Sequence, residues 1–260
     1  MNMYYPIQIP YILDKAFSEA FLYAEEIVPD YQDFLICLWS IQPLTDSEKT
    51  VNNIIIADGC IDLVANYKEK RIDFIGMSKT NFEFKIDAQS CYIGARLKPG
   101  AFHAITNIPA SEAMDTFLPL NTVDKNFDTN SFFALTFSEA KEAFKNYIGN
   151  LIQDKKPSEF ITLFNELNKN IPNTVAEIYQ KMYYSPRQCQ RLFVKNYGLS
   201  PQMILCILRF QECLQILTSG KATKEVMDIH NYYDQAHFIN DFKRNIGLTP
   251  LELVRKYTSQ

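Results

Sequence analysis

Between residues 33 and 105 the apolar positions fall in short runs with polar ends, and after about Pro109 they switch to helical spacing. The runs 33–41, 53–56, 62–67, 71–76 and 81–86 are rich in β-branched and aromatic residues, which predicts strands. Asn81-Phe82-Glu83-Phe84-Lys85-Ile86 alternates strictly, as a half-buried strand does. Turn chemistry punctuates the runs at Asp58-Gly59 and at Lys98-Pro99-Gly100. The predicted fold class is therefore an α+β N-terminal domain, a small antiparallel β-barrel or sandwich, cupin-like at most, followed by helices. Helical periodicity and caps predict a helix start at 109–112, a helix over 139–152 with Ser138 as N-cap, and an amphipathic segment over 157–169. Further helices are predicted over 174–182, with Thr174 and Glu177 as a capping box, and over 185–196, 201–217, 221–230, 234–245 and 250–257. The second half reads as all-α.

A short unit recurs in that second half. Gly198-Leu199-Ser200-Pro201 returns as Gly247-Leu248-Thr249-Pro250, and in the same register Phe193 matches Phe242, Lys195 matches Arg244 and Asn196 matches Asn245. Such self-similarity marks one structural unit used twice. Here the unit is a polar turn, an amphipathic helix, a glycine stop and a Ser/Thr-Pro helix start. Two helix-turn-helix motifs joined by a long helix over 201–217 would have this form, and duplex DNA is the partner that such motifs take. The charged, proline-ended run Asp154-Lys155-Lys156-Pro157 is the sharpest boundary. The expected organisation is a β-rich sensory or dimerisation domain over 1–135, a linker helix over 136–156 and a DNA-binding domain over 157–260.

Charge sharpens this division. The chain carries a net charge of −4, yet residues 157–260 hold 12 Lys/Arg against 9 Asp/Glu. The mild excess of positive charge sits with the repeat, and the first 156 residues are acidic. No run of about 18 uncharged apolar residues occurs, so no membrane partner is expected. The first ten residues lack the pattern of a secretory signal, and the six cysteines lack paired spacing. Reduced thiols and a cytoplasmic location are expected. Only three histidines are present, at 103, 230 and 237, so no metal is expected. No nucleotide-binding, nucleophile-elbow or zinc-protease motif appears, so no enzyme and no cofactor is expected.

The first recognition-type helix places Cys189, Leu192 and Phe193 on one stripe and leaves Arg187, Gln188, Gln190, Arg191 and Lys195 outward. Arginine can fork onto guanine and glutamine can pair with adenine. The second places Phe238 and Phe242 inward, with Gln235, His237, Asn240, Lys243 and Arg244 available. Either face taken alone is more often that of a solvated helix than of a DNA contact; the duplication reverses this in favour of DNA.

These residues resemble a family. Ile178, Ser185-Pro186-Arg187, Arg191-Leu192-Phe193, Gly198-Leu199-Ser200-Pro201 and Arg209, then Tyr232-Tyr233-Asp234-Gln235-Ala236-His237-Phe238, Phe242-Lys243 and Gly247-Leu248-Thr249-Pro250, resemble the DNA-binding domain of AraC-type regulators over about 160–258. The resemblance implies promoter DNA as partner and RNA polymerase contact if the protein activates. It implies groove-facing roles for Arg187, Gln190, Arg191, Gln235, Ala236, His237 and Asn240. Tyr179 and Met227 stand where the family has a small alanine, and Tyr183 and Asn231 where it has a turn glycine. Tyr183 at that position implies a reshaped first turn.

The first half resembles, more weakly, a β-rich domain of uncharacterised type fused to such regulators. The signatures are Ala57-Asp58-Gly59-Cys60-Ile61-Asp62-Leu63-Val64 and Gly94-Ala95-Arg96-Leu97-Lys98-Pro99-Gly100-Ala101. That likeness implies a sensory or dimerising module and names no ligand; a small-molecule effector and a homodimer are the partners such a module would have. Trp39, Asp58, Tyr92, Arg96 and His103 are the candidate ligand residues, with Arg96 as an anchor for an anion. Strand-end and turn chemistry is the alternative account of Asp58, Asp62, Arg96 and His103. Two rival functions stay open: a DNA-repair methyl acceptor fused to the same kind of domain, and a ligand-binding module whose DNA-binding part has degenerated.

Overall fold

A computed structural model of the chain describes residues 4–8, 15–44, 50–76 and 82–219, with the single positions 239, 240, 243, 249 and 252. A short helix α1 (Lys15–Ala20) leads into β1 (Phe21–Glu26), and β2 (Leu35–Pro43) pairs back on it. Then come β3 (Thr50–Ile55), β4 (Ile61–Asn66), β5 (Arg71–Ile75), β6 (Phe82–Asp87), β7 (Tyr92–Leu97) and the short β8 (Phe117–Pro119). Six strands form one antiparallel sheet in the order β1-β2-β7-β4-β5-β8, and β3 pairs with β6 in a second sheet. The antiparallel β-rich half is as its pattern predicts.

Because strand side chains alternate, the register sorts the sheet into two faces. Cys37 and Asp62 both lie opposite Arg96, Trp39 lies opposite Gly94, and Glu25 lies opposite Trp39. The side chains of Cys37, Asp62, Trp39 and Glu25 therefore share a face with Arg96. The other face carries Leu38, Leu63, Ile93 and Ala95, all buried. Gly94 is required by its neighbour: a Cβ there would stand 2.1 Å from Trp39 Cε2. That glycine weakens the strand signal of β7, one of three strands, with β1 and β8, that the pattern of apolar runs does not reveal.

After β7 come α2 (Ala101–Thr106), α3 (Thr129–Phe133) and α4 (Phe137–Ile152). The N-cap of α4 is Thr136, not Ser138; Thr136 and Glu139 close a capping box, which satisfies two free backbone N–H groups. Ala140, Phe144, Ile148 and Ile152 form its buried stripe, and Phe144 borders the same small cavity as Leu38 and Ile93. The helix expected to link two domains is thus packed on the sheet.

The remaining helices are α5 (Glu159–Lys169), α6 (Val175–Met182), α7 (Pro186–Tyr197) and α8 (Pro201–Thr218), each close to its predicted span. Their apolar faces share one continuous core with the β-rich half. Phe164 packs edge-on against Tyr4, with ring centroids 4.9 Å apart. The buried Tyr197 hydroxyl donates to the Phe160 carbonyl at 2.6 Å. Gly198 ends α7 in the left-handed conformation, and a Cβ there would lie 3.0 Å from the Ala110 carbonyl oxygen. Residues 4–8 run between the halves: Ile7 N donates to Gln211 Oε1 on α8 at 2.8 Å, and Tyr4 Oη donates to the Asp58 carbonyl at 2.6 Å. Each large side chain so buried contributes about 1.5–3 kcal/mol. Packing therefore crosses the proline-ended turn at 154–157 without a gap.

The predicted helix 221–230 and most of 234–245 lie outside the described residues. Ile239, Asn240 and Lys243 are helical. Thr249 N donates to Glu252 Oε2 at 2.7 Å and Glu252 N donates to Thr249 Oγ1 at 3.3 Å, a reciprocal cap at the helix start predicted from Thr249-Pro250.

Candidate functional site

Helices α6 and α7 form a helix-turn-helix. Ser185 caps α7: Gln188 N donates to Ser185 Oγ at 3.3 Å, and Ser185 N donates to Gln188 Oε1 at 3.2 Å. Pro186 fits the first turn, where its missing N–H costs nothing. Cys189, Phe193, Asn196 and Tyr197 are buried, and Asn196 Nδ2 donates to the Leu192 carbonyl at 2.9 Å. Arg187, Gln190, Arg191 and Lys195, at positions i, i+3, i+4 and i+8, form the exposed face. Among the described residues none of the four makes an ion pair or a side-chain hydrogen bond. Their donors are free for an outside partner. Gln188 is exposed too, but its Oε1 carries the cap, so only its amide nitrogen remains available.

The turn is not reshaped. Tyr183 itself takes the left-handed conformation, with φ 56° and ψ 24°, and is 95% exposed. A tyrosine there costs about 1–2 kcal/mol relative to a residue free of the Cβ clash, which the buried Ile178 and Phe193 on either side absorb. In the second repeat Asn240 and Lys243 are helical and exposed, whereas Gln235, Ala236, His237 and Arg244 lie outside the described residues.

The ligand candidates of the first half separate. Arg96 is 4% exposed and sits among three carboxylates. Its Nη1 is 3.6 Å from Glu25 Oε1, and its Nε is 3.5 Å from Asp62 Oδ1 and 3.8 Å from Asp58 Oδ2. These are ion-pair distances longer than hydrogen bonds, and Nε and Nη1 have no hydrogen-bond partner among the described residues. Asp58 is held by Gln8 Nε2 at 2.7 Å and by Cys60 N at 2.8 Å; Asp62 accepts from Trp39 Nε1 at 3.0 Å. Burial pushes the Asp62 carboxyl up to about 6 although Arg96 pulls it down and Asp58 adds to the rise. Burial likewise raises Glu25, again against the pull of Arg96, and holds Cys37 and Cys60 as thiols.

Trp39, Asp58 and Arg96 thus meet. Tyr92 lies on the same face of β7 as Arg96 but half-buried beside Asn66 and Ile41. His103 is elsewhere, on α2, with Nδ1 2.9 Å from the Ile108 carbonyl. The cavity bordering Trp39 measures only about 50 Å³, room for a water or two rather than an effector. A larger cavity of about 420 Å³ lies on the outer side of Glu25. Arg96 is also no open anion anchor, because three carboxylates already surround it.

The sequence reading missed Glu25, Tyr5, Tyr23 and Gln8. Tyr5 and Tyr23 both donate their hydroxyls to Glu25. The short apolar, aromatic run Phe21-Leu22-Tyr23-Ala24 with its polar end Glu25-Glu26 is the signal that could have marked this strand, but residues 1–32 hold no turn pair that isolates it.

The turn, the capped helix and its free polar face define a helix-turn-helix protein. Residues 178–256 match the family described as "Helix-turn-helix domain", and residues 28–119 match "Domain of unknown function (DUF6597)". Residues 178–256 thus carry a helix-turn-helix domain of the AraC type, and residues 28–119 a DUF6597 domain. No curated protein matches it. Among solved structures, ToxT from Vibrio cholerae is similar at 10% identity and a TM-score of 0.42, covering 82% of this chain and 100% of that one. ToxT with bound unsaturated fatty acid, from the same organism, is similar at 11% identity and a TM-score of 0.39, covering 92% of this chain and 96% of that one. Among the described residues no helix is long and apolar enough to cross a membrane.

Proposed function

We propose that this chain is a sequence-specific DNA-binding transcription regulator, without enzymatic activity, that acts in the cytoplasm and answers to a small-molecule effector. One observation carries the DNA reading: α7 locks its apolar side into the core while Arg187, Gln190, Arg191 and Lys195 stay exposed and unpaired among the described residues. Arginine and glutamine at that spacing suit base edges in a major groove, and Lys195 suits phosphate. The second repeat, with Asn240 and Lys243 exposed, is read as the partner motif for the next groove, about 34 Å along the duplex. Activation through RNA polymerase and assembly as a homodimer belong to the same reading.

Titration of full-length protein against its own upstream DNA, and against random duplex, tests it. Specific affinity should exceed non-specific affinity by at least about a thousandfold, and should fall steeply with salt as counterions are released. Equal, weak binding to both duplexes at low salt would remove the reading. The methyl-acceptor alternative is disfavoured by the buried, protonated state of Cys37 and Cys60, since methyl transfer needs a thiolate.

A further inference from the structure

The cavity of about 420 Å³ beside β1 is lined by Tyr5, Ile7, Phe17, Phe21 and Tyr23, with Glu25 the single charged side chain among the described lining residues. Its volume is that of a small-molecule site, and its walls are apolar and aromatic. Glu25 stands between this cavity and Arg96, so an incoming ligand meets a carboxylate first. Behind it the balance of charge is negative, with one guanidinium facing Glu25, Asp58 and Asp62.

We infer that this cavity binds an organic cation, a primary or substituted ammonium on an apolar body, with its charged end on Glu25 between the rings of Tyr5 and Tyr23. This rests on the reading of the first half as an effector-binding module. A carboxylate offers about four lone-pair positions. Tyr5 takes one on Oε2, while Tyr23 and the guanidinium of Arg96 face Oε1, which leaves room on Oε2 for an N–H donor. The aromatic rings of Tyr5 and Tyr23, which line the cavity beside Glu25, suit a cation further through the negative charge of their faces. An ammonium also offsets the surplus of carboxylates around Arg96. An anion would add a fourth negative charge next to Glu25, with its path to Arg96 obstructed. The apolar body of the ligand fills the space between Phe17, Ile7 and Leu22.

The test uses full-length protein and two probes of like shape and opposite charge, phenethylammonium and 3-phenylpropanoate, with a series of straight-chain alkylammonium ions. Calorimetric titration and melting temperature are the readouts. At least one ammonium ion should bind saturably and raise the melting temperature, and Glu25→Gln should weaken it at least about tenfold, which is 1.4 kcal/mol. Ser18→Trp, at the exposed rim of the cavity, should block the same probe while leaving Glu25 in place. Tighter binding of 3-phenylpropanoate, undiminished ammonium binding by either variant, or no saturable binding of any ammonium ion up to about 10 mM overturns the inference. DNA affinity of the ligand-free protein is measured separately, so a failure of the DNA reading shows in that titration and leaves the ligand result standing.

Discussion

Arginine occurs in two settings in this molecule, and they have opposite uses. Arg187 and Arg191 lie on the solvent face of α7 with no partner among the described residues. Arg96 is buried on β7 with three carboxylates within 4 Å. As letters in a sequence all three are candidate anion grips. The difference is the company each keeps. A guanidinium already surrounded by carboxylates has little attraction left for another anion, whereas an exposed one beside glutamine and lysine keeps its full field for phosphate and guanine. Burial and partner count, not residue type, decide which arginine recognises an outside group.

The comparison is broken most severely at Arg96. Arg96→Ala should destabilise the fold by about 3–5 kcal/mol, because the buried Asp58 and the partly covered Asp62 and Glu25 then lack their cation; chemical denaturation measures this, and a loss under about 1 kcal/mol would mean the cluster is solvated. Arg187→Ala and Arg191→Ala should leave the denaturation midpoint nearly unchanged. Each should cost about 1–3 kcal/mol of specific DNA binding and relax preference at one base pair. Lys195→Ala should weaken all sequences alike and lower the salt slope by about 1. Equal losses on specific and random DNA for all three would erase the distinction drawn between them.

Two smaller effects sharpen the contrast. Asp62 is held up at about 6 in the folded chain, against about 3.9 for a free carboxylate. The folded state therefore holds this proton more tightly between those values, and stability contributed by the protonated form is lost as pH rises from about 4 to about 6. Glu25 is shifted in the same direction. Wild type should lose stability relative to Asp62→Asn across that window, in denaturation midpoints taken at pH 4, 5 and 6; a parallel pair of curves would refute it. Tyr183→Gly should stabilise the fold by about 1 kcal/mol, since glycine adopts the left-handed turn without a clash. Thermal unfolding reads this directly.

The helical half was largely legible before any coordinates. Ser185-Pro186, Ser200-Pro201 and the glycine at 198 bound α7 and α8 by local capping chemistry, which acts within one turn and so is written in adjacent letters. Ser138 was a plausible cap displaced by Thr136, which has Glu139 at the right distance to reciprocate. The face of α7 could be read from periodicity alone. The charge cluster could not. Glu25, Asp58, Asp62 and Arg96 come from β1, a loop, β4 and β7, and only the strand order β1-β2-β7-β4 brings them together. Tyr183 shows a related limit: local strain argues against the turn, while Ile178 and Phe193, buried in the helices that the turn joins, fix its two ends.

The shared core between the sheet and α5–α8 also bears on how such regulators can be recombined. Phe160, Phe164 and Tyr197 have their complementary surface in Tyr4, Gly59 and Gly100, far away along the chain. A hybrid spliced at Pro157 would join half of one interior to half of another, with mismatched volumes on both sides of the seam. Exchanging the β-rich half of one protein for that of another would then demand co-inheritance of the first helix-turn-helix, and grafts would succeed only when both travel as one unit. For this chain the transferable module includes the first reading head together with the β-rich half that supports it.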